Sequence, residues 1–157
     1  EADYSIGAIF EGDAVVADLS ANWLTYPGEG AEASLELMGI FDFDAPLAPR
    51  IIGFYDTDFE DWGLEALAQQ SWEAGDWMLY AMGRAGFVKP GDGSESRSYI
   101  GAELGASRLL SEHVELGLFA RAEAADADSY VGHLDRAVVT SVRDTGLAAG
   151  VSLSVAG

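Results

Sequence analysis

Two histidines, His113 and His133, are the only side chains of this 157-residue chain that can exchange a proton near neutral pH. A serine hydrolase would need a serine and an acid to converge on one of them. Ser111 lies close to His113 in sequence only, and no Gly-x-Ser-x-Gly turn is present. The absence of cysteine removes thiolate nucleophiles, thiolate metal sites and disulfides together, and suits an oxidising route of export. Carboxylate pairs such as Glu32 with Glu36, or Glu115 with Glu123, occur on shared strand faces, but 27 acids produce such pairs by chance. The expectation is that the chain is not an enzyme.

The acidic links offer a different chemistry. Asp56, Asp58, Glu60 and Asp61, like Asp126 and Asp128, could present hard oxygens to calcium, which takes roughly six to eight of them. They lack the EF-hand spacing, so solvated loop charge is the competing reading. Calcium is the one cofactor the residues suggest.

A third set lies on one side of an alternating pattern: Asp18, Asn22, Glu36, Glu65, Gln69, Arg84, Glu103, Arg121 and Glu123. Two arginines facing several carboxylates could form a salt-bridged network that fills a narrow lumen. In a wider lumen the same residues would make an acidic constriction favouring cations.

The elements that must position these residues are strands. From Trp62 to Trp72 every second residue is apolar or aromatic, with Gln70 the exception, and Trp77 to Phe87 repeats the alternation after the short link Glu73 to Asp76. Two aromatic-ended stretches joined this way form an antiparallel hairpin. About ten tilted residues rise roughly 24 Å, close to the roughly 25 Å apolar band of an outer-membrane barrel. Trp23, Tyr26, Phe41, Phe43, Trp62, Trp72, Trp77 and Phe87 would form its aromatic girdle. Similar alternation predicts strands over 4–10, 15–24, 31–43, 50–56, 99–107, 114–124 and 147–155, with a further strand near 137–142 in an irregular stretch from Ala125 to Asp144.

The links are too short for crossover helices, so the strands follow one another up and down. The predicted architecture is one all-β domain over residues 1–157: a closed antiparallel barrel of about eight to ten strands, spanning a membrane. The competing arrangement reverses the faces. It gives a soluble, lipocalin-like secreted or periplasmic barrel, with Leu35, Leu37, Leu116 and Leu118 lining a cavity for a small apolar ligand.

Composition narrows the partners. A net charge of −19 repels nucleic acid. No apolar run reaches the roughly 18 residues of a spanning helix, which leaves strands as the way across a bilayer. The 19 glycines and 11% aromatics suit many strands and tight turns. The chain starts at Glu1 without a charged and apolar leader, so export would imply a signal peptide already removed. Expected partners are membrane lipid or detergent, with a second copy of the chain or a loop-binding protein as candidates.

The strand end Trp23-Leu24-Thr25-Tyr26-Pro27-Gly28, the acidic strand Ala33 to Leu37, the segment Gly53-Phe54-Tyr55-Asp56-Thr57-Asp58 and the closing Gly150-Val151-Ser152-Leu153-Ser154 resemble the small outer-membrane porins of Gram-negative bacteria, in particular the TorF-like family. The resemblance implies a bacterial outer-membrane location, a barrel and a pore role in transport. It departs from the usual aromatic last residue of outer-membrane barrels, since the sequence here reads Val155-Ala156-Gly157.

Overall fold

The computed structural model describes residues 3–25, 33–126, 130–135 and 138–155. Their elements are strands: β1 (Tyr4–Glu11), β2 (Val15–Thr25), β3 (Ala33–Phe43), β4 (Arg50–Asp56), β5 (Trp62–Ala74), β6 (Trp77–Lys89), β7 (Arg97–Ser111), β8 (Val114–Ala125), β9 (Tyr130–Asp135), β10 (Val138–Arg143) and β11 (Thr145–Val155). Among the described residues there is no helix. A 9-stranded antiparallel sheet runs in the order β1-β2-β3-β4-β5-β6-β7-β8-β11, and β9 pairs with β10 in a separate ribbon.

The closed barrel expected from the sequence is not formed. The strand order instead ends on β1 and β11. After β8, β9 and β10 pair with each other, with register shifts between Val139 and Val142. β11 pairs with β8, from Thr145 opposite Ala124 to Val155 opposite Val114.

Contacts group the chain into two compact units, Glu1–Leu67 with Gly86–Arg97 and Ala68–Ala85 with Ser98–Gly157. In the first unit the register matches face to face. Ala21 lies opposite Leu37 and Ala17 opposite Phe41, while Asn22 lies opposite Glu36 and Ser20 opposite Met38. A one-residue slip would exchange the two faces, so the alternation itself holds this register. In the second unit Leu104 pairs with Ala120 and Ala106 with Leu118 on one face, and Glu103 with Arg121 on the other.

The two faces differ in exposure in the opposite sense to a water-soluble core. Among the described residues no hydrophobic side chain is buried, and the buried polar residues are Ser34, Asp56 and Glu103. In the first unit Leu19, Trp23, Leu37, Phe41 and Leu64 are exposed, whereas Asp18, Ser20, Asn22, Glu36 and Glu65 are half-buried. In the second, Ile100, Leu104, Leu118, Leu147 and Val151 are exposed, whereas Tyr80, Arg84, Arg121 and Glu123 are half-buried.

The links vary in length. Residues 12–14, 44–49, 75–76 and 112–113 connect strands at one set of turns, and 26–32, 57–61, 90–96 and 126–144 at the other.

Candidate functional site

In the second unit, three neighbouring strands bring their polar positions together. Period-two alternation puts Tyr80 and Arg84 of β6, Tyr99 and Glu103 of β7, and Phe119, Arg121 and Glu123 of β8 on the covered face. Tyr80 Oη donates to Glu103 Oε1 at 2.6 Å. Arg121 Nε donates to the other carboxylate oxygen, Oε2, at 2.6 Å. Arg84 forms an ion pair with Glu123. Arg121 also approaches Glu123 at 3.9 Å, which links the two pairs.

Aromatic faces complete the arrangement. The Arg84 guanidinium lies 5.8 Å from the Tyr99 ring centre, and that of Arg121 lies 6.0 Å from the Phe119 ring centre. These distances are within about 6 Å, the range of a cation–π attraction. The room for Tyr80 comes from Gly105, since a side chain there would overlap the tyrosine ring.

Two guanidinium groups face two carboxylates, so the cluster is balanced in charge. Glu103 is only 7% exposed, and a buried carboxylate is tolerable where its oxygens are occupied by donors and its charge is paired. Chemically the cluster is a charge-paired network. Both oxygens of Glu103 are engaged, and the arrangement neither frees a base nor activates a nucleophile.

The first unit carries a thinner polar chain. Ser5 Oγ donates to Asn22 Oδ1 at 2.8 Å, and Asn22 Nδ2 donates to Glu36 Oε1 at 3.3 Å. Arg50 grips Asp42 with two hydrogen bonds, of 2.5 and 3.0 Å. Among the described residues no cation is paired with Asp18 or Glu36.

The acidic link after β4 is built as a turn. Asp56 Oδ1 accepts the amides of Asp58 and Phe59 at 2.9 and 3.0 Å. Asp58 Oδ2 accepts the Leu35 amide at 2.9 Å, and Asp61 Oδ1 accepts the Gly91 amide at 2.8 Å. Gly91 comes so near the Phe59 carbonyl and Glu60 that any side chain there would overlap them. Burial is the largest single influence on Asp56 and would raise its pKa. The amides of Phe59 and Asp58, with the Ser34 hydroxyl, outweigh it and hold the carboxyl below its ordinary value.

The calcium candidates Asp56, Asp58, Glu60 and Asp61 lie together in this turn. Three of the four carboxylates serve backbone amides, and Glu60 is an exposed residue at φ 57°. Among the described residues no three His, Asp or Glu side chains converge as a cation site. Asp126 accepts the Ser98 amide at 2.8 Å, and Asp128 lies outside the described residues.

Other predicted positions fall as follows. Gln69 is exposed, because 69–76 extends past the covered part of β5 into the turn at Gly75. Of the girdle, Trp23, Phe41, Phe43, Trp62 and Trp72 are exposed. Trp77 and Phe87 are half-buried, the latter tilted against Trp62 with ring centres 5.3 Å apart, and Tyr26 lies outside the described residues. Leu37 and Leu118 lie on the exposed face, with Leu35 and Leu116 half-buried. His113 is exposed in the β7–β8 turn, where its backbone amide, not its ring, donates to Ser111 Oγ at 3.4 Å. His133 falls in β9.

Tyr80 is the residue that sequence reasoning did not assign to the network. The available signal was its shared parity with Arg84, opposite a neighbouring strand whose polar face alternates glycine with Glu103.

Compared with protein-family models, curated proteins and solved structures, the chain has no match in any of the three.

Proposed function

We propose that this chain is a membrane-inserted β-sheet protein of the bacterial outer membrane, similar in type to the TorF-like porins. In this reading its polar face is packed with its own side chains, and it acts as a structural or interaction platform more than as an open pore. One observation carries the reading: the covered face is the polar one, and large apolar side chains such as Leu104 at 62% exposure stand uncovered. In water that distribution opposes folding, at roughly 25 cal/mol per Å² of apolar surface left exposed. In hydrocarbon it is the expected arrangement.

The paired network around Glu103 favours the platform role, since a polar face packed with its own paired side chains leaves little room for solutes.

A specific observation keeps cation passage as a second reading. Asp18 and Glu36 are half-buried carboxylates without a paired cation among the described residues. The deciding experiment has two stages. Far-ultraviolet circular dichroism and size analysis, with and without detergent micelles, test insertion; a monodisperse β-rich protein in plain buffer would overturn it. Planar-bilayer recording then separates the roles, with silence expected for the platform and a conductance reduced by Glu36→Gln for cation passage.

A further inference from the structure

One charge stands on the apolar face of the second unit. Along β7, β8 and β11, the positions that share the face of Leu104 and Leu118 carry aliphatic, small or hydroxyl side chains, with Arg108, opposite Leu116, the ionised exception. A charge on a lipid-facing surface costs least near the end of a strand, and Arg108 lies three residues from the end of β7. Its Nη2 donates to Asp76 Oδ2 at 2.9 Å, while its Nε has no acceptor among the described residues. The two side chains are 41% and 76% exposed, and a pair so exposed contributes little on its own, so the guanidinium stays open to a second anion.

The same face is dented beside it. Ala106 lies opposite Leu118 and Leu104 opposite Ala120, and with Trp72 and Leu79 these residues line an apolar groove of about 440 Å³. Ala106 is two residues from Arg108, roughly 7 Å along the strand. A cation at the head of an apolar groove fits a phosphate ester that carries a hydrocarbon tail. A second hollow, of about 490 Å³, is lined by Arg108 together with Glu73, Asp76, Trp77 and Glu115. Three carboxylates around one guanidinium repel a headgroup of net negative charge and suit one in which a primary ammonium follows the phosphate.

We infer that the Arg108 end of this groove is a phospholipid seat: the guanidinium holds the phosphate, Asp76 and Glu115 face the headgroup ammonium, and an acyl chain lies over Ala106 and Ala120 between Leu104 and Leu118. The inference rests on the membrane reading and names the lipid chemistry that the exposed face selects. Guanidinium and phosphate match in geometry as well as charge. Trp72 and Trp77 supply aromatic rings of the kind that gather at the headgroup boundary.

Those two tryptophans make the seat readable by fluorescence. In a Trp23→Phe, Trp62→Phe double variant inserted into phosphatidylcholine liposomes, acyl-brominated phosphatidylethanolamine is expected to reach half-maximal quenching at a mole fraction about fivefold lower than acyl-brominated phosphatidylglycerol, the scale of one partly exposed ion pair. Arg108→Gln should remove that difference. Ala106→Phe, which fills the groove and leaves the cation in place, should remove it as well. For the unaltered chain, native mass spectrometry from micelles doped equally with the two lipids should show phosphatidylethanolamine retained in preference.

Equal quenching by the two headgroups, a preference for phosphatidylglycerol, or a preference that survives Arg108→Gln overturns the seat while leaving insertion intact. Loss of the preference on adding inorganic phosphate marks a free-anion site and also overturns it. Tryptophans that no brominated lipid quenches overturn the membrane reading, and the seat with it.

Discussion

The phenol of Tyr80 reaches the Glu103 carboxylate at 2.6 Å by lying over Gly105, the one residue type that leaves space for the ring. Gly105→Ala should therefore push the ring from its place and weaken the bond to a buried charge. A loss of about 1–3 kcal/mol is expected from overpacking of this kind. Denaturant midpoints in micelles would measure it. Gly83→Ala is the matched control, because nothing lies within 4 Å of the added carbon there.

Removing two members of the network together should cost less than the sum of removing each. Glu103→Ala leaves the half-buried Arg121 with Glu123 at 3.9 Å as its neighbour, and a loss of about 1–3 kcal/mol is expected. The double variant Glu103→Ala with Arg121→Ala should be less destabilised than the sum of the two single variants. A double-mutant cycle that came out additive would show that the two residues do not act together.

Acid should loosen the turn after β4. The folded pKa of Asp56 is depressed, so the stability it contributes is fully present above the unfolded value of about 3.9 and is lost as pH falls through the lower folded value. Amide exchange at Asp58 and Phe59 should accelerate in that window. Asp56→Asn should abolish the pH dependence, because an amide side chain does not titrate.

Trp23 and Trp72 report on the exposed face. Both side chains are more than a third exposed, and in a bilayer they would sit against lipid. Nitroxide-labelled lipids should quench their fluorescence, and Trp72→Phe should remove a measurable share of the quenching. Quenching by aqueous iodide with no response to labelled lipid would contradict the lipid-facing assignment.

Much of the sheet was legible because strand alternation is a local property. Trp62 and Trp77 begin β5 and β6 where the alternation predicts, and 114–124 matches β8 to within a residue. β9 escaped because Tyr130-Val131-Gly132-His133-Leu134 breaks the period of two. Closure was not legible for a different reason. Period-two patterning specifies which face a side chain takes, but not which strand an edge will find.

The site shows the same division. Arg84, Glu103, Arg121 and Glu123 share strand parity, so their grouping could be read from the sequence, whereas the Tyr80 hydroxyl required knowing which strand it crossed. In the acidic link, Asp56-Thr57-Asp58 read as ligand chemistry, although aspartates in such positions commonly turn back on their own backbone.

On the proposed membrane reading, the absence of any buried hydrophobic side chain among the described residues also bears on the chain before it inserts. Ordinary collapse in water would bring together the residues that the finished sheet keeps apart from its covered side, such as Leu147 at 88% exposure. The nascent chain therefore has its strongest early attractions among groups that must later separate. On that reading its high negative charge would act as an escort, because copies that repel one another would aggregate more slowly before insertion.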